Sequence, residues 1–173
     1  MADLGCGPGH VTTFLRSLGV DAVGLDVSAR MVSIARRRSP ANPVIQGSMA
    51  ALPWPPASLD GALIRYSMIH AAVDEMPHLL AEVARGLRPG GHLLLFFLGV
   101  EDVEEDGRSY EHRVATAHLR HPSVVDRHLG EVGLTPVAWW RQGPGPTRPF
   151  SPCATMAVRA TVATPDEPAA VAQ

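Results

Sequence analysis

The chain has 173 residues, of which 46% are hydrophobic and 18% charged, enough for one domain with a sizeable core and too apolar for a disordered polymer. A net charge of −2 argues against a general binder of nucleic acid or anionic membrane. No apolar run approaches the ~20 residues of a membrane span, and no basic-then-apolar N-terminal stretch reads as a signal peptide.

Strand-like and helix-like segments alternate along the chain. Ala2–Leu4 reads as a very short strand, followed by a glycine-rich turn and a helix over Gly9–Leu18. Ala22–Asp26 is apolar and ends on one acid, as a buried strand does. Ser28 is a good N-cap for a helix over Ala29–Arg38, with Pro40 and Pro43 beyond it. Pro43–Gly47 is a third short strand, and Ala50–Ser58, with Pro53, Pro55 and Pro56, is a loop. Leu59–Tyr66 is a fourth strand, and Asp74–Gly86 a helix with Met76, Leu79, Leu80, Val83 and Leu87 at three-to-four spacing. Arg88–Gly91 is a turn into His92–Leu98, the most apolar run and so a central strand. Gly99–His121 is polar and reads as an insertion. A helix over Pro122–Val132 and strands over Leu134–Arg141 and Cys153–Ala160 come next, the two strands joined by a Gly/Pro-rich loop over Gln142–Phe150. On Leu134–Arg141, Trp139 and Trp140 point to opposite faces, so one is expected in the core and the other partly exposed. Residues 161–173 read as a disordered tail. The pattern predicts an α/β fold: a doubly wound, mostly parallel seven-stranded Rossmann-like sheet with an antiparallel last strand and helices on both faces.

The chemistry concentrates in Asp3-Leu4-Gly5-Cys6-Gly7-Pro8-Gly9. Glycines at alternate positions permit a sharp turn and close approach to a ligand, and the helix after the turn offers free backbone amides. Asp26 closes the second strand, where a carboxylate is placed to accept hydrogen bonds from vicinal ribose hydroxyls. A dinucleotide site expects a glycine three residues beyond Gly7, where His10 stands. That residue argues against a nucleotide-binding oxidoreductase.

The turn resembles motif I of the class I S-adenosylmethionine-dependent methyltransferases. Val23–Ser28 with Met31 resembles their second motif, and Gln46–Met49 with Leu52-Pro53 the adenine-contacting turn. Leu59–Ala62 leading to Tyr66, Ser67 and His70 resembles the fourth strand and its exit, and Leu87–Leu93 the turn into the fifth. The resemblance is greatest to small-molecule enzymes of the ubiquinone-biosynthesis type. It implies S-adenosylmethionine as cofactor and methyl transfer by in-line displacement to a small-molecule acceptor, at O, N or C. Asp3 is then expected near the methionine amino group, and Gly5, Gly7 and Gly9 along the methionine and ribose. Asp26 takes the ribose hydroxyls, Val27 and Met49 sandwich the adenine, and Ser48 meets its amino edge. Met31 belongs to the same cofactor set. Tyr66 and Ser67 line the sulfonium end, with Tyr66 and His70 as the candidate catalytic residues. Members of this family normally begin with one or two helices that cover the site. The sequence starts inside the first strand, so the expectation is an N-terminally truncated domain over 1–160, with a non-catalytic cofactor-binding remnant as the alternative. An uncovered first strand would then favour association.

Other residues receive plainer readings. Tyr110, His112 and His118 lie after the fifth strand, where relatives place substrate contacts, but mostly read as surface. His112, His118 and His121 without paired cysteines predict no metal site. Cys6 and Cys153 are too few for a disulfide scaffold, so the thiols are expected to be reduced and the protein cytoplasmic. No nucleic-acid or membrane partner is expected.

Overall fold

The structure is a computed structural model that describes residues 1–112, 115–143 and 150–161. One seven-stranded sheet carries the domain. Its strands are β1 (Ala2–Leu4), β2 (Val23–Asp26), β3 (Val44–Gln46), β4 (Leu59–Arg65), β5 (Leu87–Gly99), β8 (Leu134–Arg141) and β9 (Ser151–Arg159). A small ribbon pairs β6 (Ser109–Tyr110) with β7 (Ala117–His118). The helices are α1 (His10–Ser17), α2 (Ala29–Arg38), α3 (Met76–Gly86) and α4 (Pro122–Glu131).

The strand order is β3-β2-β1-β4-β5-β9-β8. β1 to β5 run parallel and β9 runs antiparallel to both β5 and β8, as the alternation and the two helix-free final strands imply. The chain moves outward from β1 through β2 to β3, then returns to pair β4 on the other side of β1. That reversal opens a crevice at the carboxyl ends of β1 and β4, where ligands of such sheets bind. The core fills the sheet around β1, β4 and β5, with Leu4, Ile64, Leu80, Leu87, Leu93 and Leu95 fully buried.

Local chemistry sets the helix limits. Ser28 caps α2, its hydroxyl accepting from the Met31 amide at 3.4 Å. Pro122 opens α4 in its first turn, and the His121 ring accepts from the Ser123 amide. The proline loop after β3 is pinned to α3 by Glu82 and Arg85. Glu82 Oε1 accepts from the Leu52 amide, while the Arg85 guanidinium donates to the carbonyls of Leu52 and Trp54.

Several expectations need correction. The Arg88–Gly91 turn does not precede β5 but bulges within it: Leu59 pairs Leu87 while Gly61 pairs His92. Three residues in β4 therefore face six in β5, and Gly90 absorbs the bend at φ 75°. β1 is not an uncovered strand. Flanked by β2 and β4, it has Ala2 and Leu4 with no exposed surface. The exposed apolar side chains lie elsewhere, notably Phe14 and Leu18 on and just after α1.

Neither tryptophan of β8 is core: Trp139 is 61% and Trp140 49% exposed. β8 is the edge strand, paired on one side only, and of its residues only Leu134 is fully buried. The Trp139 indole N–H instead donates to Asp126 of α4 at 2.8 Å. The segment after β5 is also not a purely polar insertion. Ala117, Leu119 and Arg120 are buried, because Arg120 runs beside β5, its amide donating to the Leu98 carbonyl. The Gly/Pro-rich loop lies largely outside the described residues, and so does the tail beyond Thr161.

Candidate functional site

The glycine turn folds as the sequence requires. Gly5, Gly7 and Gly9 all take positive φ, at 73°, 52° and 80°. At Gly5 the requirement is doubled, since an added Cβ would stand 2.1 Å from the Ser67 Cβ. Ser67 lies just past β4, and its hydroxyl donates to the Leu4 carbonyl at 2.8 Å. The turn after β1 and the exit from β4 thus interlock at the switch point. Between β4 and Ser67, Tyr66 adopts φ 54°, a conformation costly for a residue with a Cβ.

A cavity of about 630 Å³ opens above this junction, the size of a small-molecule site. Of the residues singled out in the sequence, Gly5, Gly7, Asp26, Val27, Met31, Ser48, Met49, Tyr66, Ser67 and His70 line it. Four separate elements converge there: the β1 turn, the β2 exit into α2, the β3 exit, and the β4 exit.

Asp26 is held in the wall by backbone on both sides. Its Oδ2 accepts from the Gly7 amide and its Oδ1 from the Ser28 amide, both at 2.8 Å. Two backbone donors fix the carboxylate plane and leave a lone pair on each oxygen for a ligand. Val27 beside it is 71% exposed, an unusual state for valine, and offers a flat apolar surface to the cavity. Across the wall, Ser48 accepts from the Ala50 amide at 3.1 Å and Met49 packs against the core from the rim.

Two expected residues are not in the wall. Asp3 is 2% exposed beneath the turn, its Oδ2 accepting from the Thr12 hydroxyl at 2.6 Å. Burial raises its pKa, against the opposing Thr12 hydrogen bonds and the charge of Arg65. Gly9 is a packing residue: a Cβ there would meet the Ala35 Cβ at 3.0 Å, so it lets α1 approach α2.

His70 sits in a 3-10 turn over Met68–His70, and its Nδ1 lies 3.0 Å from the Thr116 carbonyl. A carbonyl only accepts, so Nδ1 carries the proton and Nε2 keeps the lone pair in the neutral ring. His112 lies tilted beside it at 5.2 Å between centroids, and Tyr110 lies against His112 at 6.1 Å and Phe150 at 4.7 Å. The post-β5 segment therefore reaches the His70 end of the site. His118 instead approaches the Gly107 carbonyl inside that segment.

Sequence reading missed Arg65, Glu75, His78, Leu79 and Ala115, all of which line the cavity. Glu75, His78 and Leu79 precede or lie on α3, whose sequence signal is its buried stripe. Arg65 had one legible clue: it is the only charge after Asp60 in an otherwise apolar strand.

A family model described as a methyltransferase domain matches residues 2–95, more than half of the chain. The chain belongs to that family. It is 33% identical over 103 residues to a malonyl-[acyl-carrier protein] O-methyltransferase of Enterobacter lignolyticus, covering 60% of this chain and 40% of the relative. The chain spans less than half the length of that relative. A Methanosarcina mazei S-adenosylmethionine-dependent methyltransferase structure superposes with a TM-score of 0.79 at 17% identity, covering 93% of this chain and 92% of that one. A Burkholderia thailandensis 1,6-didemethyltoxoflavin-N1-methyltransferase, solved with 1,6-didemethyltoxoflavin and S-adenosylhomocysteine bound, superposes at 0.75 with 22% identity, covering 92% and 70%. At these identities the two superpositions establish the shared fold.

Proposed function

We propose that this methyltransferase-family domain binds S-adenosylmethionine in the 630 Å³ cavity and transfers its methyl group to a small-molecule acceptor held beside it. The observation that carries the reading is Asp26: a carboxylate held rigid in the cavity wall by the Gly7 and Ser28 amides, with lone pairs to spare. That donor-poor, acceptor-rich group suits a pair of ribose hydroxyls. Val27 and Met49 supply apolar surfaces for a purine, and the Ser48 hydroxyl an acceptor for its amino group. Gly5 and Gly7 keep the floor clear of side chains where the methionine portion would lie. Asp3 acts from below as a positioning residue, through Thr12 of α1.

When bound, the cofactor supplies an electrophilic methyl group on a sulfonium. The protein's task is then alignment and exclusion of water. Tyr66, Ser67 and His70 stand at the exit of β4, where an acceptor would meet that methyl group. His70 Nε2, left basic by the Nδ1–Thr116 contact, is placed to take a proton from acceptors that must lose one. The net charge of −2 favours a small acceptor over nucleic acid. The two buried, unpaired thiols fit a reducing cytoplasm.

The test is calorimetric titration with S-adenosylmethionine and S-adenosylhomocysteine, with Asp26→Ala as control. Transfer of labelled methyl groups to a small-molecule panel would come next. Micromolar binding lost in the variant is expected. A folded chain that binds neither compound would refute the reading.

A further inference from the structure

Arg65 is the only arginine among the described residues that lines the cavity. It ends β4, the strand that delivers Tyr66 and Ser67 to the site. Its guanidinium carbon lies 5.2 Å from the Tyr66 ring centroid, so the planar group rests over the ring with its edges free. Among the described residues no Asp or Glu forms an ion pair with it. The acids of the site hold other hydrogen-bond partners: Asp3 accepts from Thr12, Asp26 from two amides and Glu75 from the Ala72 amide, and Arg65 acts on Asp3 through its charge alone. Among the described residues most other arginines do have partners, either carboxylates, as at Arg16, Arg85, Arg88, Arg108 and Arg120, or carbonyls, as at Arg36.

We infer that Arg65 is the carboxylate anchor of the cavity. A guanidinium presents paired N–H donors that match the two oxygens of a carboxylate. Met68, Ala71, Leu79 and Ala115 line the same cavity, beside the polar Ser67, His70, Glu75 and His78, and Arg65 is its one guanidinium. One cation in such a wall suits a singly charged planar anion on an apolar or mixed skeleton, and lacks the several cations or amides that a phosphate collects. The inference rests on the methyl-transfer reading, which provides two sources for the carboxylate. One is the amino-acid end of the cofactor; the other is the acceptor.

Two measurements on the wild type and Arg65→Gln separate these sources. The first compares the affinities of S-adenosylhomocysteine and 5′-methylthioadenosine, which lacks the amino-acid carboxylate. The second compares benzoate and hexanoate with benzamide and hexanamide, with and without S-adenosylhomocysteine. Loss of a charge-assisted bidentate contact should weaken the carboxylate-bearing member by about tenfold or more. If the cofactor is the source, Arg65→Gln weakens S-adenosylhomocysteine and spares methylthioadenosine. If the acceptor is the source, it abolishes the preference for acids over amides and spares both adenosines. Arg65→Lys should recover part of either effect, since it keeps the charge and loses the fork. The inference is overturned if the variant changes neither ratio, or weakens methylthioadenosine equally. It also falls if the cofactor arm is unchanged and no acid binds at about 10 mM, weaker than most specific recognition. Failure of both adenosines to bind the wild type would instead remove the methyl-transfer reading, and the acid–amide comparison on the free protein would still decide whether Arg65 selects carboxylates.

Discussion

Gly5→Ala tests the interlock between the β1 turn and the β4 exit. An alanine there keeps φ 73°, which costs an L residue roughly 1–2 kcal/mol. Its Cβ would also fall 2.1 Å from Ser67 Cβ and 2.4 Å from Ser67 Oγ, so one of the two segments must move. Displacing Ser67 strains a packed junction, at about 1–3 kcal/mol. It also endangers the Ser67–Leu4 hydrogen bond, worth about 1 kcal/mol. The expected loss is about 3–6 kcal/mol, a large share of the ~5–15 kcal/mol of a typical domain. Gly7→Ala is the control. Its φ of 52° is also left-handed, but nothing lies within 4 Å of the added methyl, so only the backbone cost applies. Urea unfolding of both variants reads the difference as a midpoint gap of about 1–2 M, taking a slope near 2 kcal/mol per molar. The double variant Gly5→Ala/Ser67→Gly removes the colliding Cβ and should regain about 2 kcal/mol over the additive expectation. Equal destabilisation by Gly5→Ala and Gly7→Ala, or strict additivity in the double variant, would refute the interlock.

Three further outcomes are expected from the same structure. Asp106→Ala would strand the Arg120 guanidinium, which is 2% exposed and paired to Asp106 at 3.2 Å, and would remove the acceptor of the His121 amide; thermal or urea unfolding should show a loss of about 3–5 kcal/mol. Both thiols should resist Ellman's reagent at pH 8 until the chain unfolds, since burial, helped by Asp3 and Asp26, pushes Cys6 up to about 12, and burial raises Cys153 as well; rapid labelling of the native protein would contradict this. Asp3→Asn should be neutral or stabilising at pH 7, because it keeps an acceptor for Thr12 and removes a buried charge. The folded pKa of Asp3 is raised above 3.8, so the wild type carries its burial penalty at pH above that folded value and sheds it as pH falls toward 3.8. Urea stabilities of the two proteins should therefore converge by about pH 4; a gap that widens on acidification would reverse the sign of the argument.

The sequence by itself determined the sheet class, the position of the glycine turn and the acid that faces it. These are local or period-bound signals. Three glycines at alternate positions can serve a turn with three left-handed residues, Ser28 can cap only the helix on its C-terminal side, and apolar runs between helices must be covered on both faces. The tertiary structure decided what distant segments do to one another. The Gly5–Ser67 contact joins residues far apart in sequence, and no periodicity encodes it. Asp3 and Gly9 belong to the same motif as Gly5 and Gly7, yet packing turns them away from the cavity, toward Thr12 and Ala35. Trp139 and Trp140 alternate as a strand requires, but β8 is an edge strand on which both stay exposed, so alternation alone could not assign a core face. Arg65 became visible as a site residue only when β4 was placed beside β1, because a side chain's place in a crevice depends on which strand end borders it.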